Sequence, residues 1–244
     1  MITREIIKTY ATKYQTSELN VAREYCQHLL LSNFYQQKES GRILFKGGTA
    51  LKIIYGSPRF SEDLDFSGFN INLSYIEKII EDCLIEIERE GLNVEITESK
   101  ETTGGYLSII FFKFYDYEPR VQLEISLREE RNIEGQVKLI TSNLVPAYTI
   151  LQLPEELLVI EKFEALFRRE KPRDFFDVYF ILRNRLVVQR EYREKYKVRE
   201  KILEILKNRP LDFRGELKLF LPINQHALLR DFDKILINEI ERYL

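Results

Sequence analysis

The order of hydrophobic periodicities predicts an α/β chain of the α+β kind, a mixed sheet with flanking helices followed by an all-helical C-terminal part. Two observations carry this. Strand-like runs at Arg42–Lys46, Phe60–Phe66, Asn93–Thr97, Tyr106–Phe114 and Arg120–Leu127 all lie in the first 150 residues. After about residue 150 the period becomes helical and stays so to Leu244.

The elements follow in order. Up to about residue 35 the apolar positions Val21, Tyr25, Leu29 and Leu30 recur at helical spacing. The apolar run RILFK reads as a short strand that enters Gly47-Gly48, and Ala50–Tyr55 resumes a helical pattern. Gly56-Ser57-Pro58 is a turn, because glycine and proline punctuate periodic segments. Ser74–Glu90 is amphipathic, with Ile76, Ile79, Ile80, Cys83, Leu84 and Ile87 on one face, and Gly91 is its stop signal. Gly104-Gly105 and Glu118-Pro119 separate the next strands. Pro154 and Pro172 each open a helix, with further breaks near Pro210 and Pro222. The expected division is a sheet-bearing domain over 1–150 and a helical domain over 151–244 that contributes to an active-site cleft.

Composition excludes several classes. The chain has 244 residues, 44% hydrophobic and 31% charged, which describes a globular protein. No run approaches 18 apolar residues, so no membrane association is expected. The N-terminal stretch mixes charges throughout and lacks a secretory signal, which makes the cytoplasm the expected location. Cys26 and Cys83 lack metal-ligand or redox spacing and read as core thiols. With only His28 and His226 available, neither near a nucleophile motif, histidine-based catalysis is not expected. The net charge of −2 conceals a basic stretch: residues 183–209 carry ten Lys or Arg against four Glu, leaving the remainder at −8. Such a block, with Tyr192 and Tyr196 interleaved, suits a polyanionic partner; the alternative is a solvated helix face.

The chemistry concentrates between residues 45 and 66, FKGGTAL and then RFSEDLDF. Two glycines between a strand and a helix let backbone approach a bulky anion, and the N–H groups at a helix start point toward it. Thr49 adds a hydroxyl. Asp63 and Asp65, two apart on a strand, project from one face and suit a hard divalent cation, with magnesium the natural choice. In Val121–Leu127 the apolar residues alternate with Gln122, Glu124 and Ser126, so Glu124 would complete a three-carboxylate cluster if its strand neighbours that of Asp63 and Asp65. Lys46 and Arg59 flank the motif and suit either phosphate or the carboxylates. A P-loop is excluded because Lys46 precedes the glycines.

This pattern, G-G-T, thirteen residues, then D-x-D with a later acidic strand, resembles the nucleotidyltransferase superfamily that includes DNA polymerase beta. The wider strings resemble in particular the AbiEii/AbiGii-type nucleotidyltransferase toxins, a group that also contains the MenT toxins. Lys162 in VIEKFEAL matches the lysine the family carries on a helix after the sheet, and Lys171-Pro172-Arg173-Asp174-Phe175-Phe176-Asp177 matches its K-x-R-D-x-x-D-like element. The resemblance implies a metal-dependent enzyme using two magnesium ions and a nucleoside triphosphate. Asp63, Asp65 and Glu124 would be its metal ligands, with Lys162 and Asp174 joining them as catalytic residues. Lys46, Gly47, Gly48, Thr49, Arg59, Lys162 and Asp177 would bind nucleotide. It also implies an RNA acceptor, the tRNA 3′ end, and a cognate antitoxin. The bland alternatives are that Lys162 snorkels between Leu158 and Leu166 and that Asp174 complements a helix dipole. At the level of function the alternatives are an inactive nucleotide- or RNA-binding module, a metal-dependent nuclease, or transfer to a protein or small molecule.

Overall fold

The computed structural model describes residues 1–128, 133–208 and 211–244. Arg209 and Pro210, which close the basic stretch and mark a helix break in the sequence, lie outside the described residues. Two compact units emerge, one of residues 1–56 and 60–153, the other of residues 57–59 and 154–244.

In the first unit, α1 (Arg4–Tyr14) and α2 (Glu18–Phe34) begin where Thr3 and Ser17 accept hydrogen bonds from the N–H groups of Ile6 and Asn20. Such caps satisfy donors that a helix start leaves without partners. They split the region expected as one helical pattern into two helices. Then follow β1 (Ile43–Lys46), α3 (Gly47–Tyr55), β2 (Asp63–Phe69), α4 (Leu73–Arg89), β3 (Asn93–Thr102), β4 (Gly105–Lys113), β5 (Arg120–Arg128), β6 (Gln136–Ile140) and β7 (Tyr148–Gln152). Asn72 caps α4, and Gly91 beyond its end adopts φ +92. The sequence reading missed β6 and β7, which pair antiparallel with each other.

All seven described strands form one mixed sheet in the order β3-β4-β5-β2-β1-β7-β6. At its centre β2 runs antiparallel to β1 and parallel to β5. One face packs on helices: Phe66 stacks on Phe34 of α2 at 5.1 Å, and Leu64, Leu123, Ile125, Ile110 and Phe112 are buried. The same core takes in Cys26 and Cys83, both buried and free as expected. Because side chains alternate along a strand, the residues between these apolar ones stand on the opposite face.

The second unit is helical: α5 (Glu155–Arg169), α6 (Pro172–Arg183), α7 (Arg190–Tyr196), α8 (Val198–Asn208), α9 (Phe213–Leu217) and α10 (Phe232–Tyr243). Pro172 occupies the first turn of α6, where its missing N–H does no harm. Phe175, Phe176, Phe213 and Phe232 form an aromatic core, Phe176 stacking on Phe232 at 5.8 Å. No described helix is long and apolar enough to cross a membrane.

Candidate active site

The sheet register assembles the acidic residues of the first unit. On β2, Asp63 and Asp65 lie opposite Gln122 and Glu124 of the parallel strand β5. On the other side, Asp65 lies opposite Lys46 of β1. Lys46, Asp65 and Glu124 therefore form a row across three adjacent strands, spaced about 4.8 Å from one backbone to the next. Glu124 is exposed, Asp63 and Asp65 are half-buried, and Lys46 is buried. The condition set by the sequence, that the strand of Glu124 neighbour that of the two aspartates, is met.

Lys46 is also the last residue of β1, and α3 starts at once with Gly47 and Gly48, three residues earlier than the periodicity placed it. Gly47 adopts φ +86, a conformation that costs any other residue strain. There is no room for a side chain either, since a Cβ at Gly47 would stand 2.0 Å from Oδ2 of Asp65. The helix start and the Asp65 carboxylate are thus in direct van der Waals contact, with the first N–H groups of α3 beside the acidic row.

Thr49 behaves differently from the expectation for its hydroxyl. The residue is completely buried, and its Oγ1 donates to the backbone carbonyl of Asp63, tying α3 to β2. Its side chain is a brace for the aspartate strand, and only its backbone N–H belongs to the helix start.

The donor set on this face is made of hard carboxylate oxygens, which suits a divalent cation of the magnesium kind. Among the described residues no three His, Cys, Asp or Glu side chains are grouped closely enough to hold a metal by themselves. Neighbouring strands bring Asp63, Asp65 and Glu124 onto one face, but the three-carboxylate cluster expected from the sequence is not closed into a metal-holding group.

Arg59, Lys162, Asp174 and Asp177 all belong to the second unit, and there they are internally partnered. Asp177 on α6 is buried; its Oδ1 accepts from Arg59 Nε at 2.8 Å, and its Oδ2 accepts from Arg59 Nη2 at 3.0 Å and from Lys162 Nζ at 2.8 Å. Burial would raise its pKa, but the charges of Arg59 and Lys162 outweigh that and hold the carboxyl down at about 2. Asp177, expected as a nucleotide ligand, is instead the counter-ion of two buried cations. Asp174, expected among the catalytic groups, caps α6: it pairs with Arg169 and accepts from the Lys171 N–H at 3.4 Å. The bland reading of Asp174 as a helix-start acid is the one its contacts support.

Among its described residues, the basic stretch starts at the end of α6 with Arg183 and runs mainly through α7 and α8. Tyr192 is buried between Phe163 and Tyr196, at ring distances of 6.4 and 4.9 Å, so it cannot stack on a base as the sequence reading had it. Tyr196 remains exposed. Arg193, Lys197 and Arg199 line a shallow concavity of about 350 Å³ with Glu194 and Glu200. Both histidines contact neighbours within the protein. His28 is buried against the Tyr148 hydroxyl, 2.7 Å from its Nδ1, and burial together with the Lys52 charge lowers its pKa to about 4. His226 contacts the Leu221 carbonyl at 3.0 Å.

Two residues of the acidic face were not singled out from the sequence. Gln122 Nε2 donates to Glu124 Oε1, and Arg120 Nη2 donates to Gln122 Oε1 at 2.7 Å. The signal that finds them is the period of two, which sets 120, 122 and 124 on one face.

Comparison with known proteins gives a family and similar folds. The family described as "Nucleotidyl transferase AbiEii toxin, Type IV TA system" matches residues 28–241. Among solved structures, JHP933 from Helicobacter pylori superposes with a TM-score of 0.61 at 21% identity, covering 93% of each chain. A second H. pylori crystal structure, of a candidate nucleotidyltransferase, gives 0.61 and 21%, covering 93% of this chain and 95% of that one. At that identity the likeness speaks for the fold. No curated protein matches the sequence.

Proposed function

Since the chain belongs to the AbiEii family of nucleotidyltransferase toxins, it is a nucleotidyltransferase, and we propose that it moves a nucleoside monophosphate from a nucleoside triphosphate to an RNA, the 3′ end of tRNA, with magnesium as cofactor. The single observation that supports this most is the row Lys46, Asp65 and Glu124 beside the Gly47-Gly48 helix start. Asp63 and Asp65 would hold the magnesium, with Glu124 ligating a second ion or acting as base. When bound, the metal neutralises charge that develops on the leaving pyrophosphate.

The chain's own residues do the rest. The N–H groups at the start of α3 face the triphosphate with the positive end of the helix dipole. Gly47, lacking a side chain, lets the Asp65 carboxylate sit directly against that helix start. Lys46 adds a positive charge opposite Asp65. An RNA hydroxyl oxygen attacks the α-phosphorus, the bond from that phosphorus to the bridging oxygen breaks, pyrophosphate departs, and Glu124 receives the hydroxyl proton. The exposed cations Lys197 and Arg199, with the ring of Tyr196, suit the phosphates and bases of RNA. Membership in a Type IV toxin–antitoxin family implies a cognate antitoxin. Modified tRNA 3′ ends would block aminoacylation and hence growth.

The test is to incubate the purified chain and magnesium with labelled nucleoside triphosphates and total tRNA. Label should appear on RNA of undiminished length. Shortened RNA would point to a nuclease, and no labelled product would overturn the reading. Asp65→Ala should lower transfer by about 100-fold or more, the usual worth of a group facing charge that develops in a transition state.

A further inference from the structure

We propose that Gln122 is a positioning residue for nucleotidyl transfer, gripping Glu124 so that one carboxylate oxygen is held and the other is presented to the reacting groups. The inference rests on the role given to Glu124 above and adds a device that sets its orientation.

The grip is read from a chain of three side chains on β5. Arg120, Gln122 and Glu124 alternate along the strand and so share the face that carries Asp63 and Asp65. Arg120 donates to the amide oxygen of Gln122 at 2.7 Å, and the amide nitrogen donates to Glu124 Oε1. A guanidinium has donors only. It therefore decides which way the amide faces: with Oε1 turned to Arg120, the amide nitrogen is turned toward the acid and donates one N–H to it. The opposite amide orientation would set donor against donor at Arg120 and oxygen against oxygen at Glu124.

The backbone of Arg120 is itself anchored, its carbonyl accepting from Arg23 Nε of α2 at 3.3 Å, while Arg23 pairs with Glu62 at 3.2 Å. A glutamate as exposed as Glu124 loses rotamer freedom when it is fixed. Gln122 takes on that ordering before any substrate arrives. Its neutrality matters as well. Gln122 is the register partner of Asp63, so a carboxylate at this position would put a fourth acid on the face, whereas an amide supplies a donor. Partners that orient a ligating or reacting carboxylate are typically worth about 10- to 100-fold in metal affinity or activity.

The experiment compares full-length wild type, Gln122→Met, Glu124→Gln and the double variant. Two readouts are used: Mn2+ affinity of the protein saturated with a non-hydrolysable nucleoside triphosphate, followed by electron paramagnetic resonance of the free ion, and kcat and KM for the triphosphate in the label-transfer assay. Methionine keeps the length of Gln122 and removes both hydrogen bonds. The expected result is Mn2+ affinity and kcat lowered by about 10-fold or more, with KM and melting temperature unchanged. In the double variant Mn2+ should bind no more weakly than in Glu124→Gln alone, because the effect of Gln122 runs through Glu124. Wild-type kcat and Mn2+ affinity in Gln122→Met would overturn the inference, as would additive losses in the double variant. If Glu124→Gln itself retains full Mn2+ affinity and transfer, the role of Glu124 falls and takes this inference with it. A disabled Glu124→Gln beside an intact Gln122→Met removes the Gln122 grip alone.

Discussion

Asp65 and Asp177 are both aspartates of a short acidic motif, yet their surroundings are opposites. Asp65 stands on a sheet face with Glu124, an acid, on one side, Lys46 on the other, and the positive end of α3 against it. Asp177 is enclosed in the helical unit with two cations bound directly to its oxygens. The first arrangement sets acids on neighbouring strands of one sheet face, the place proposed above for an ion and its phosphates. The second is balanced already. Asp177 is therefore a framework group of its unit, whereas Asp65 stands in the row on a sheet face for which a ligating role is proposed above.

The largest effect expected from this contrast is on stability. Asp177→Asn leaves Arg59 and Lys162 buried without their counter-ion, and breaking a buried pair in this way costs about 3–5 kcal/mol. Asp65→Ala should leave the melting temperature close to wild type. Thermal unfolding of the two variants side by side checks the contrast, and equal losses would erase it.

The acid limb sharpens the same point. Asp177 has its pKa depressed to about 2 in the folded chain, against 3.8 for the ordinary carboxyl. A depressed folded pKa gives stability that is fully present above pH 3.8 and lost as pH falls toward 2. The difference of about two units corresponds to roughly 2–3 kcal/mol. Between pH 4 and pH 2 the wild type should lose that much more stability than Asp177→Asn, measured by urea unfolding at each pH.

A smaller effect is expected at Gly47→Ala, where a side chain must adopt φ +86 and displace the Asp65 carboxylate. Strain of this kind costs about 1–3 kcal/mol. The displaced carboxylate should also lower transfer, so that folding and activity both respond, unlike in Asp65→Ala.

How much of this was legible beforehand depends on the range of the interactions involved. The D-x-D face could be read because alternation along a strand is local, and the Gly-Gly turn because φ > 0 has a residue signature. The pairing of β2 with β5 could only be posed as a condition, since a register such as Asp65 opposite Glu124 links positions 59 residues apart in the chain. β6 and β7 were missed for the same reason: each has five residues, and β7 is recognisable only through its pairing with β1, Phe45 opposite Gln152, and with β6. Lys162, Asp174 and Asp177 were expected at the site through a resemblance, which does not tell what they touch. Arg59 lies 118 residues from Asp177, and no local pattern announces a salt bridge over that span. Tyr192 shows the converse, a residue that composition assigned to a surface and packing drew inside.

Thr49 offers the smallest effect and the finest discrimination. Its hydroxyl was expected at the nucleotide, but it donates to the Asp63 carbonyl from a fully buried position. Valine at 49 keeps the shape and removes the hydrogen bond, leaving one buried carbonyl without that donor, a change worth about 1 kcal/mol in stability. If the hydroxyl is a brace, Thr49→Val should lower the melting temperature by a few degrees while KM for the nucleoside triphosphate holds, because the N–H at 49 is untouched. If the hydroxyl reaches phosphate during turnover, KM or kcat must deteriorate by about tenfold, the equivalent of roughly 1.4 kcal/mol. Kinetics and thermal unfolding of this one variant therefore decide whether the residue serves the strand that carries the aspartates or the substrate that meets them.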